Sequence, residues 1–251
     1  MAATKPGYGM ITGTLPTASI ADNAVTLAKT AGLARGTMIY GDASGDPAAL
    51  AVGAADEVLT HDGTDFDWAA PAGGGAWNLI GTTVASNSAT LDITGLDSTY
   101  DTYVITLSDL VPATDNAFPW MRMGDSGGVD SGASDYSWAS SRMTMNNTIG
   151  VLALSQDDND AQIELVHEGT GIGNAAGEGF GGIFYLHRPG DGTMQPTISG
   201  HGTGLQTTTV MNYGFGGGGR KAVIVLDRIQ FLFSTGNVTT GRMTVYGVAH
   251  A

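Results

Sequence analysis

Arg228-Ile-Gln-Phe-Leu-Phe-Ser-Thr-Gly-Asn-Val-Thr-Thr-Gly-Arg-Met-Thr-Val-Tyr246 consists of two short runs around a turn-rich spacer. Ile229, Phe231 and Phe233 alternate with Arg228, Gln230 and Leu232, and Met243 and Val245 alternate with Thr244 and Tyr246. Such alternation puts successive side chains on opposite faces of a strand, so each run offers one apolar face to a core. The spacer 234–241 carries two glycines and makes a terminal β-hairpin the natural reading.

The same pattern recurs upstream, at 77–80, 89–93, 103–107, 119–123, 138–145, 162–166, 180–187, 196–201, 207–213 and 222–226. Short alternating runs at regular spacing indicate a β-sandwich or barrel. No helical periodicity longer than two turns follows Gly95. Residues 76–251 are therefore expected to be an all-β sandwich domain, with Met121, Met123, Met143 and Met145 filling its core. Glycine, at 39 of 251 residues, is about twice its ordinary share and argues against a helix-rich core.

The chain carries 24 acidic against 10 basic residues, a formal charge of −14. That field repels phosphate backbones, so nucleic acid is not an expected partner. With 42% hydrophobic residues the composition is that of a folding chain. Cysteine is absent, which excludes disulfides, Cys-ligated zinc and thiol catalysis. Residues 1–8 lack the apolar stretch of a secretory signal, and no apolar run approaches the roughly 20 residues that cross a bilayer, so membrane insertion is not expected.

Residues 1–75 read differently. Ile20, Ala24, Leu27, Ala28 and Ala31 recur at helical spacing behind the candidate caps Ser19 and Asp22, predicting one short helix within an attachment segment, 1–35. Over 36–75, short apolar pieces between Gly36, the 41–45 turn, Gly53 and the 61–63 turn predict small β-arches, followed by a Gly-rich linker at 71–75. So little apolar area cannot offset the ordering entropy of a lone chain, so association about a symmetry axis is expected.

Ile20-Ala-Asp-Asn-Ala-Val-Thr-Leu-Ala-Lys29 resembles a unit common in the shafts of bacteriophage virion fibres, the tail-fibre and head-fibre proteins. The stretch from Ala34-Arg-Gly-Thr-Met-Ile-Tyr-Gly-Asp-Ala-Ser-Gly-Asp-Pro47 through Leu50, Val58-Leu-Thr60, Asp62-Gly63 and Trp68-Ala69 is similar to a pattern of the same family. The segment from Leu79 to Gly247 resembles the jelly-roll-like tips that end such fibres. The resemblance implies a homotrimer located in the virion, an extended trimeric shaft attached through its amino end to a capsid or tail protein, and a distal domain that meets a host-surface glycan. A capsid decoration without a receptor role shares the same composition. A glycan depolymerase would need clustered carboxylates on a long rigid scaffold, for which residues 76–251 leave little room.

Several local motifs imitate chemistry. Gly124-Asp-Ser-Gly-Gly128 matches the nucleophile loop of chymotrypsin-like proteases, yet the upstream histidine is His61, in a turn-like setting, and too little chain precedes Ser126 for that double barrel. Asp125, Asp130 and Asp135, like the acidic run 157–160, lack EF-hand spacing, so no metal is expected. Residues 214–219 before Arg220-Lys221 lack the Gly-Lys-Ser/Thr of a phosphate loop, and 171–176 lack the strand-to-helix setting of a dinucleotide fingerprint. Both read as flexible loops, and neither a cofactor nor a catalytic residue is expected. The glycines of 169–182 and 214–219 cost backbone entropy. They serve either adaptable receptor contact or close backbone approach at a threefold axis. Trp120, Tyr136, Trp138, Tyr213 and Phe215 are the candidate receptor-binding residues, as stacking platforms for sugar rings, with core packing as the alternative for each.

Overall fold

The structure is a computed structural model and describes residues 32–71, 76–145, 150–166, 171–207 and 210–249. The expected helix at 19–31 and linker residues 72–75 lie outside the described residues. The chain divides into two units, Met1–Ala72 and Gly73–Ala251.

In the first unit, β1 (Met38–Gly41) pairs antiparallel with β2 (Pro47–Leu50), and β3 (Val58–His61) with β4 (Phe66–Ala69). The expected arches are thus hairpins, each closed by an aspartate that gathers the amides of its own turn. Asp42 Oδ1 accepts from the Ser44 and Asp46 amides at 2.9 and 3.0 Å, and Asp62 Oδ1 from the Thr64 and Asp65 amides at 2.7 and 2.8 Å. The amides of Asp65 and Thr64 hold the Asp62 carboxyl below its usual range. A positive-φ turn precedes each hairpin, at Gly36 (83°) and Asp56 (68°). Gly36 to Asp56 and Asp42 to Asp62 are the same 20-residue step, so the segment is a tandem repeat of turn, strand, Asx turn and strand. Trp68 ties the copies together, donating from Nε1 to Ala51 O at 2.7 Å and lying against Gly53, where a Cβ would come within 2.7 Å of the ring.

The second unit holds two antiparallel sheets. The larger contains β5 (Trp77–Val84), β7 (Thr102–Pro112), β10 (Tyr136–Met145), β11 (Gly150–Asp160), β13 (Gly179–His187), β14 (Thr197–Thr207), β15 (Val210–Arg220) and β17 (Val238–Val248). Its order is β11-β10-β15-β14-β13-β7-β17-β5. The smaller contains β6 (Leu91–Thr94), β8 (Pro119–Asp125), β9 (Gly128–Val129), β12 (Ile163–Glu164) and β16 (Arg228–Phe233), ordered β12-β8-β16-β6 with β9 paired to β8. Ile105, Phe184 and Val245 of the larger sheet and Leu91, Met121 and Phe231 of the smaller belong to one buried core. Every described residue is in a strand, turn or irregular segment, in agreement with the all-β expectation.

The terminal runs do not form the expected hairpin. Strand β16 pairs with β6 and β8 in the smaller sheet, while β17 lies between β7 and β5 in the larger. The spacer carries the chain from one layer to the other, so that Phe231 and Val245 bury their faces in the shared interior. Residues 222–226, expected as a strand, are irregular. Met121 and Met123 are fully buried as expected, but Met143 and Met145 are 43% and 65% exposed. They share a side of β10 with Ala139 and Ser141, opposite Tyr136, Trp138, Ser140 and Thr144, which are buried.

The glycine run 214–219, expected as a loop, is the second half of β15. Its inward positions are occupied by backbone from elsewhere. A Cβ on Gly216 would lie 2.4 Å from Leu165 O, and one on Gly214 2.4 Å from Ser141 O. On the adjacent β14, a Cβ on Gly200 would meet Phe184 at 2.6 Å, and one on Gly202 Phe180 at 2.5 Å. These glycines therefore serve packing. Gly216→Ala is expected to cost about 1–3 kcal/mol, because backbone must move to admit the methyl group. Gly150→Ala, with nothing within 4 Å, should stay within about 0.5 kcal/mol. Paired chemical denaturation curves measure both.

Candidate functional site

The outer face of β11, β10, β15 and β14 carries five side-chain rows fixed by strand register, the first of them Gly150, Met145, Met211 and Leu205. Leu152, Met143, Tyr213 and Thr203 lie in the second row, and Leu154, Ser141, Phe215 and His201 in the third. Gln156, Ala139, Gly217 and Ser199 follow, continued on β13 by Tyr185. The last row holds Ser137, Gly219 and Thr197, continued by His187. The face therefore grades from large apolar groups to small polar ones.

Two open depressions lie on this face. One, of about 960 Å³, spans Ala139, Gln156, Ser199, His201 and Phe215. The other, of about 970 Å³, spans Ser137, Asp157, Asp158, His187, Thr197 and Gly219. Outward Gly217 and Gly219 have no side chain and leave a trough floored by main chain. His201, Tyr213 and Phe215 stand together at one end, with ring centroids 5.1 Å apart for Tyr213 and Phe215 and 6.0 Å for His201 and Tyr213. At the other, His187 Nε2 lies 3.3 Å from Ser199 Oγ. Flat rings beside hydroxyl, amide and carboxylate groups can grip a polyhydroxylated ring by its apolar face and its rim.

The five candidate aromatics separate. Phe215 lines the trough and is 53% exposed, while Tyr213, in edge-to-face contact with it, lines the adjoining apolar depression around Met143 and Met211. Tyr136 and Trp138 point inward from β10 and are buried. The Tyr136 hydroxyl accepts from Met123 N at 2.8 Å and lies within donating distance of Met123 O and Asp130 O at 2.8 and 2.9 Å. Trp138 Nε1 donates to Asp160 Oδ2 at 2.9 Å. Trp120 is on the smaller sheet, donating to Glu164 Oε1 at 3.1 Å. Sequence reasoning missed His201, Tyr185 and the whole of β11, because only strand register brings them to Phe215.

The other motifs are absorbed by structure. Arg220 reaches Asp130 Oδ2 at 2.8 Å and Asp135 Oδ1 at 3.0 Å, so two of the three carboxylates weighed as calcium ligands are tied to a guanidinium. Lys221 Nζ donates to Asp158 O and to Asn159 Oδ1, anchoring the acidic end of β11 beside the trough. Among the described residues no cluster of three or more His, Asp or Glu side chains is arranged to hold a metal. Ser126 is exposed in the β8–β9 turn. No protein-family model, curated protein or solved structure matches this chain.

Three groups on the strands of the larger sheet, Tyr103, Tyr136 and Arg142, have their ionisation shifted by burial. Burial pushes the Tyr103 phenol up to about 12 and raises that of Tyr136 as well. Both folded values exceed the unfolded value of about 10, so the native state holds these protons more tightly. The stability they contribute is complete below pH 10 and is lost as the pH rises through 10 toward 12. Tyr136→Phe is expected to cost about 1–3 kcal/mol at pH 7 and to flatten that alkaline decline in melts across a pH series. Arg142 lies on the inner side of β10, its pKa lowered by desolvation, with Nε and Nη1 buried and without hydrogen-bond partners among the described residues. Arg142→Met keeps the apolar stem and removes the unpaired charge. A gain of about 1–3 kcal/mol in the same melts at pH 7 is expected.

Proposed function

We propose that this chain is a structural and binding component of a phage virion. It is a homotrimeric fibre whose amino-terminal part attaches to a capsid or tail protein and whose jelly-roll-like carboxyl-terminal domain binds a host-surface glycan. The observation that carries the reading is the trough on the outer sheet face, floored by Gly217 and Gly219 and ended by His201 and Phe215. The repeated hairpins support the fibre part. Met38, Ile39, Val58 and Phe66 are exposed on two-stranded units that are marginal alone and are stabilised when copies associate. The fibre pattern over residues 20–69 supplies the assignment to a virion, and chain crossings between layers at most connections of the second unit support the jelly-roll-like description. Three weak sugar sites on one particle gain orders of magnitude through avidity.

Binding of the full-length chain to an array of bacterial lipopolysaccharide O-chains and capsular polysaccharides tests the reading. At least one polysaccharide should be retained, and Phe215→Ala should weaken it tenfold or more, about 1.4 kcal/mol per site. Gln230→Ala, on the smaller sheet, should leave it unchanged. Retention of none, or equal binding by Phe215→Ala, contradicts the glycan reading.

A further inference from the structure

We propose that the apolar end of the outer face, centred on Met143, Met145, Leu152 and Met211, is the surface through which the β domains of neighbouring copies of this chain meet. The inference rests on the homotrimer reading and names the surface that reading leaves open. These four side chains are 43%, 65%, 68% and 47% exposed, and they adjoin Leu154 at 75%. They are contiguous by register, with Met143 opposite both Leu152 and Tyr213, and Met145 opposite Met211. They line a depression of about 610 Å³ without a charged residue. Scattered apolar side chains on a surface need no partner, but a contiguous group of this kind does.

Charge and topology select a second copy as that partner. A chain of formal charge −14 repels its own copies wherever carboxylates face each other, so contact is favoured where carboxylates are lacking. The part around Met143, Met145 and Leu152 is such a place, with Asp109 and Glu178 lying beyond it in the depression that Met211 shares with the β13 side. The nearest acidic groups along β11 are Asp157 and Asp158, at the opposite, polar end. Strand β11 is also an edge of the larger sheet. Its far half carries Asp157, Asp158 and Asp160, a usual protection against edge pairing, while residues 150–154 carry Leu152 and Leu154 and no charge. The protected half remains free to flank the trough, and the unprotected half requires cover. Methionine, at three of the four central positions, adapts its shape to a facing surface, which suits contact between identical units. The sugar trough then lies at the border of the interface, open to solvent.

The absence of cysteine permits a direct test. Full-length chains carrying Leu152→Cys, Met145→Cys or, as an exposed control on the Val238–Val248 strand, Thr239→Cys are purified alone. Maleimide labelling rates are measured at micromolar concentration beside the mass by light scattering. At a trimer's mass, labelling at positions 152 and 145 at least tenfold slower than at 239 is expected, because the described residues of the β domain leave both positions exposed and a neighbouring copy then covers them. A trimer in which all three cysteines label at similar rates overturns this surface and leaves the homotrimer reading standing. A mass of one chain, near 25.6 kDa, overturns the homotrimer reading and this inference with it.

Discussion

The Leu165 carbonyl occupies the space where Gly216 would carry a side chain. The β domain depends on that approach and its neighbours. Glycines at 200, 202, 214 and 216 strip the inner face of two central strands of side chains, and Phe180, Phe184 and the chain at 163–166 move into the vacated layer. Glycine in a strand costs about 0.5–1 kcal/mol relative to alanine, and here the cost is offset by burial of two phenylalanines and a close contact between layers.

The same run determines the outer face. Because residues 214–219 continue β15, Gly217 and Gly219 fall on the outside and open the trough, and Arg220 and Lys221 arrive at the strand's end. From there Arg220 holds Asp130 and Asp135, and Lys221 the acidic end of β11. A binding face, its anchored rim and the interior packing thus follow from one glycine-rich strand. The apolar and polar ends of the face divide two tasks, association and recognition, along a single set of registers.

Alternation was sufficient to read the all-β class and most strands, because it records which side of a strand is buried. It does not record the partner. Ile229, Phe231 and Phe233 are as strongly one-sided as Met243 and Val245, yet they face one another across the core instead of pairing in a hairpin. Conversely, the pieces around residues 38–50 and 58–69 pair locally, since Asp42 and Asp62 close their turns. Glycine misled for a related reason. Without a neighbouring strand in view, 214–219 has the composition of a loop, and its meaning comes from Leu165, about fifty residues earlier. Core packing stood as the alternative for each candidate aromatic, and strand parity decides between them: Phe215 is exposed and Tyr213 half-buried on the outer face, whereas Tyr136 and Trp138 face inward from β10.

Cryo-microscopy of the purified full-length chain tests the central claim, that the outer face of the larger sheet is the working surface, most directly. Particles of three copies are expected, in which the Met143 and Leu152 end of that face lies against a neighbouring copy and the trough over Gly217 and Gly219 opens to solvent. A map in which the trough is filled by the chain's own neighbour, or in which the smaller sheet forms the contact and the larger sheet's outer face is bare, would contradict it.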